Sequence, residues 1–110
     1  MAAKYRQSIT LNASVGQILP IIKNVDFFNK FKIDYRGEDH TNAGSIIKFS
    51  HDATATSWGI KITITITPVS SQESTIEVYS ACSNPLQFLD WGINKRNVCE
   101  ILDYIGKAMV

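Results

Sequence analysis

From Thr54 to Thr67 the chain reads TATSWGIKITITIT, and from Ile60 to Ile66 every second residue is isoleucine. Successive side chains of a strand point to opposite faces. Trp58, Ile60, Ile62, Ile64 and Ile66 therefore share one face, while Ser57, Lys61, Thr63, Thr65 and Thr67 share the other. On a helix the same isoleucines would spread around the whole circumference, so a period of two demands a half-buried strand. Pro68 has no N–H for a ladder and is expected to end it.

A sheet needs neighbours and a cover, and both are readable. Lys4 to Asn12 alternates, with Tyr5, Gln7, Ile9 and Leu11 on one face. Ser14 to Gln17 then fits a capping box and predicts a helix from about Val15 to Asn24, with Ile18, Leu19, Ile21, Ile22 and Val25 on its apolar side. Pro20 falls past the first turn, so this helix is expected to kink there or to begin later. Asp26 to Phe31 reads as a short helical turn capped by Asp26 and anchored by Phe27, Phe28 and Phe31. A strand end, a loop near Asp39 to Gly44 and a strand from Ser45 to His51 follow. Val69 to Ser74 reads as a hairpin loop, and Ser74 to Cys82 as a returning strand with Ile76, Val78, Ser80 and Cys82 on one side and Glu77 and Tyr79 opposite.

The C-terminal segment is helical. Asn84 can cap, Pro85 suits the first helical position and Gln87 completes a capping-box-like pair. Phe88, Trp91, Val98, Leu102, Ile105 and Met109 then keep to one stripe, with Lys95 as its polar position. Gly92 allows two readings: one helix bent near Gly92, or a break at Gly92 with a restart at Asn94.

A chain of 110 residues, 45% of them apolar, can bury a core as a single domain spanning 1–110. A formal charge of +1 gives no global reason to expect nucleic acid or an anionic membrane. No apolar run is long enough for a signal peptide or a membrane span, and the chain reads as cytoplasmic. In that compartment Cys82 and Cys99 stay thiols and read as small core fillers.

No complete catalytic constellation is present, and no cofactor is implied. His40, His51, Cys82 and Cys99 lack the tight local pairing of a zinc site, and neither a phosphate loop nor a nucleophile elbow occurs. His40 reads as loop. His51 is in phase with Ile47 and Phe49, where an inward imidazole would carry a proton or anchor a hydrogen bond; at the strand's end it would instead be exposed. Asp90 and Asn94 beside Trp91 offer polar groups at a mouth or belong to a solvated helix face.

The order strand, helix, short helix, several antiparallel strands and C-terminal helix resembles the START/Bet v1-like helix-grip superfamily, which includes polyketide cyclases, lipid-transfer domains and plant hormone receptors. SITLNASVGQILPIIKNVDFF and the ending STIEVYSAC...VCEILDYIGKAM carry the resemblance. Members usually have more strands and a longer chain; about five strands are read here. The resemblance implies an α+β fold, a curved antiparallel sheet gripping a long C-terminal helix around a hydrophobic cavity. Trp58, Ile60 and Ile62 would line its sheet side, and Phe88, Trp91 and Leu102 its helix side, with His51 as the polar member. Plain core is the other reading of both tryptophans, and the one that the usual burial of aromatics favours.

Three function classes follow. The first is a soluble domain that binds a hydrophobic small molecule. The second is a cyclase- or hydratase-like enzyme using His51, Asp90 or Tyr79 as acid or base. The third is an interaction module, monomeric or homodimeric, without a ligand.

Overall fold

A computed structural model describes residues 3–51, 59–83 and 92–109. In chain order they form β1 (Lys4–Leu11), α1 (Val15–Ile22), α2 (Val25–Phe31), β2 (Asp34–Thr41), β3 (Gly44–His51), β4 (Ile60–Ser70), β5 (Glu73–Cys82) and α3 (Ile93–Ala108). The fold is α+β. One antiparallel sheet has the order β1-β5-β4-β3-β2 and packs its inner face against the helices. Among the described residues, no helix is long and apolar enough to cross a membrane.

The isoleucine period becomes rows of core residues. Pairing aligns Ile47, Ile64 and Val78 in one row, Ser45, Ile66 and Ile76 in a second, and Phe49, Ile62 and Ser80 in a third. All nine are buried. The helices cover them with Ile18, Ile22, Phe27, Val98, Ile101 and Ile105, and each fully buried side chain of this size contributes about 1.5–3 kcal/mol. Phe27 of α2 is the aromatic junction, with ring centroids 5.7 Å from Phe49 and 5.5 Å from Tyr104 of α3. The opposite face of the sheet keeps its threonines, lysines and glutamates toward solvent.

The capping box forms as its sequence requires. Gln17 N–H donates to Ser14 Oγ at 3.3 Å, and Ser14 N–H donates to Gln17 Oε1 at 2.9 Å. Pro20 lies within α1, where its missing donor leaves only the Gly16 carbonyl without that partner. The helix stops at Ile22 rather than Asn24, because Asn24 caps α2: its extended backbone cannot continue a helix, and its Oδ1 accepts from Asp26 N–H at 2.8 Å. Asp26 is thus not the cap. Val25 opens α2 and is 63% exposed, so it does not belong to the apolar side of α1.

The hairpins are tighter than their composition suggests. The loop expected over Asp39 to Gly44 shrinks to Asn42 and Ala43, since Thr41 Oγ1 accepts from Ala43 N–H and donates to the Gly44 carbonyl. Gly44 has φ +152°, and a Cβ there would stand 2.5 Å from the Ile66 carbonyl oxygen, so only glycine fits beside β4. Pro68 does not end β4. It sits at a register shift, where one ladder position is already slack, and the strand runs on to Ser70. The loop expected over Val69 to Ser74 correspondingly reduces to Ser71 and Gln72.

Gly92 settles how α3 begins. Its φ of +79° is left-handed, so no continuous helix passes through it, and α3 starts at Ile93, one residue before the expected restart at Asn94. The start signals at Asn84, Pro85 and Gln87 lie outside the described residues. Cys82 is buried, but Cys99 is exposed on α3 and is not a core filler.

Candidate functional site

The two ends of the sheet are covered differently. At one end β1 delivers the chain into α1: Leu11 pairs with Ser74, which pairs with Pro68, and α1 packs onto β4 and α3. At the other end His51 pairs with Ile60 and Ile60 with Cys82. Here the cover is the first turns of α3 and the turn between α2 and β2.

The first turn of α3 is pinned by a buried polar side chain. Ser80 Oγ donates to Asn94 Oδ1 at 2.7 Å, and Asn94 Nδ2 donates to the Ala3 carbonyl at 3.1 Å and lies 3.5 Å from Cys82 Sγ. These bonds tie the helix to β5 and to the residue before β1, and they supply partners that a buried amide requires. Lys95, the next residue, read as the one polar position of the apolar stripe, is exposed and so does not share that stripe's buried face.

With α3 held there, Ile93, Asn97 and Ile101, four residues apart on one row, form a wall over Ile60 and Ile62 of β4. Phe31, Lys32 and Ile33 close the side toward α2, and Arg96 and His51 complete a pocket of about 210 Å³. Lys32 ends α2 in a left-handed conformation (φ +54°), and its carbonyl accepts a hydrogen bond from His51 Nδ1 at 2.8 Å. A carbonyl only accepts, so Nδ1 carries the hydrogen. The neutral ring then keeps its lone pair on Nε2.

Of the residues anticipated for a site, His51, Ile60 and Ile62 come together in this pocket. Trp58, Phe88 and Trp91 lie outside the described residues. Leu102 is 4% exposed and borders a different, shallow groove with Gln7, Ile9 and Cys99, beside β1. Lys32, Arg96 and the Ile93/Asn97/Ile101 row were not singled out from sequence; the spacing of four is the one signal that would have found the row.

The three acid–base candidates do not meet among the described residues. Tyr79 lies on the solvent face, with the Arg6 guanidinium 4.9 Å from its ring centroid, and Asp90 is outside the described residues.

A second polar cluster occupies the inner face of edge strand β2. Glu38 accepts from Lys23 Nζ at 2.6 Å and from the Tyr35 hydroxyl at 2.6 Å, and it pairs with His40 Nε2. His40 Nδ1 meets Ser45 Oγ at 2.7 Å, so His40 is a strand residue with two partners and not a loop residue. Lys23 above all, then Tyr35 and His40, hold the Glu38 carboxyl down to about 2, and the same bond pushes the Tyr35 hydroxyl up. So acidic a carboxylate is a poor base and so reluctant a phenol a poor acid near neutrality. The cluster fastens the C-terminal end of α1 to the sheet edge.

No protein-family model matches the chain, and no curated protein matches it.

Proposed function

We propose that the chain is a small helix-grip-like domain of the START/Bet v1 kind that binds a hydrophobic small molecule between the sheet and its C-terminal helix. The observation that carries this reading is the pocket over Ile60 and Ile62, with an isoleucine-rich lining and a few polar groups at its border, the composition expected of a ligand site. Its volume of about 210 Å³ limits the occupant. An apolar cavity of roughly 150 Å³ accepts benzene, so a single ring or a short branched chain fills this pocket. The arrangement of β1, two short helices, four further strands and α3 supports kinship with the helix-grip proteins, in a reduced form. A cytoplasmic carrier or sensor domain is the corresponding role.

Toluene is a suitable neutral probe. In a methyl-detected titration of the full chain, the expected result is saturable shifts at the Ile60, Ile62, Ile93 and Ile101 methyls, abolished in Ile62→Trp, whose ring would fill the space. Absence of saturable shifts, or equal shifts in the filled variant, would sink the reading.

A further inference from the structure

Among the described residues, the charged groups at the border of the pocket are Lys32 and Arg96, both cationic. Five of the described basic side chains have carboxylate partners, Arg6, Lys23, Arg36, Lys48 and Lys107, and these lie away from the pocket. Lys32 and Arg96, which both line the pocket, have no such partner among the described residues, and no aspartate or glutamate is among the described lining residues. The remaining polar lining is Asn97, whose amide can donate, and His51, whose Nδ1 hydrogen is already given to Lys32. α3 also opens at this border without an acidic residue in its first turn.

Resting on the pocket proposed above, we infer that its natural ligand is a small organic monoanion: a single-ring or short branched apolar body on Ile60 and Ile62, and one carboxylate at Lys32 and Arg96. A planar guanidinium presents paired donors that match a carboxylate, and Lys32 places a second cation at the same border. Of the volume, an aromatic ring takes most and leaves room for one such group.

Benzoate, benzamide and toluene separate shape from charge. With the full chain, benzoate is expected to bind on the order of tenfold more tightly than benzamide, the gain of one charge-assisted contact over a neutral one. That advantage should shrink in high salt and vanish in Lys32→Gln/Arg96→Gln, while toluene still shifts the Ile60 and Ile62 methyls of the same variant and so reports an intact pocket. Equal affinity for benzoate and benzamide, with toluene bound, would overturn the anion assignment and leave the hydrophobic pocket standing. A benzoate preference that survives the double substitution would overturn it too. Binding of none of the three would overturn the pocket itself.

Discussion

Strand β4 carries the same side chain at its two ends and meets two different fates. Ile64 and Ile66 are fully buried, in rows completed by Ile47 and Val78 and by Ser45 and Ile76. Ile60, 8% exposed, and Ile62 form the floor of a pocket. Alternation decides which face of a strand turns inward; it says nothing about what arrives to cover each residue. At the sealed end the chain runs directly from β1 into α1, and the Glu38 cluster fastens that helix to the sheet edge. At the open end α3 begins at a left-handed glycine, pinned by Asn94, and its first turns stand off β4 far enough to leave about 210 Å³.

Glycine substitutions at the two ends sharpen the contrast most. Gly44→Ala places a Cβ against the Ile66 backbone at the sealed end, where neither strand can yield, and should cost about 3 kcal/mol in urea unfolding. An unchanged midpoint would mean that this end is looser than it looks. Asn94→Ala comes next: it strands the buried Ser80 hydroxyl and should cost about 1–3 kcal/mol, together with weaker toluene binding, because the wall carrying Ile93 and Ile101 loses its anchor. A variant with full binding and full stability would remove Asn94 from that role. At Gly92 a Cβ meets no atom within 4 Å, so Gly92→Ala should cost only the left-handed penalty of about 1 kcal/mol, less than at Gly44.

The Glu38 cluster gives the smallest effect and a pH signature. Its folded-state pKa of about 2 lies below the ordinary 4.5, so its stabilisation is present above 4.5 and is lost as pH falls from there towards 2. The difference in urea midpoint between the wild type and Glu38→Gln should be constant near neutrality and close across that window. A gap independent of pH would show that charge plays no part.

Much of the sealed end is legible in the sequence because it is built from local signals. The capping box at Ser14 and Gln17 and the period of two in β4 and β5 each act within a few residues. The open end depends on partners distant in the chain. A buried Asn94 is intelligible only once Ser80 and Ala3 are beside it, and an amide next to Lys95 looks like ordinary helix surface. Strand β2 hid for a related reason: its inner face carries Tyr35, Glu38 and His40 in place of apolar residues, so no alternation marks it. The apolar stripe through Val98, Leu102 and Ile105 is buried core, and the pocket wall runs one step around the helix, through Ile93, Asn97 and Ile101. Turn lengths depended on single hydrogen bonds, such as those of Thr41, that composition does not announce.

Intermolecular NOEs from bound toluene to isoleucine methyls test most directly whether the two ends of β4 differ in function. Contacts are expected to Ile60, Ile62 and Ile93, and none to Ile64, Ile66 or Ile105. Contacts to the second group, or toluene bound without contact to the first, would contradict a ligand site at the open end of the sheet.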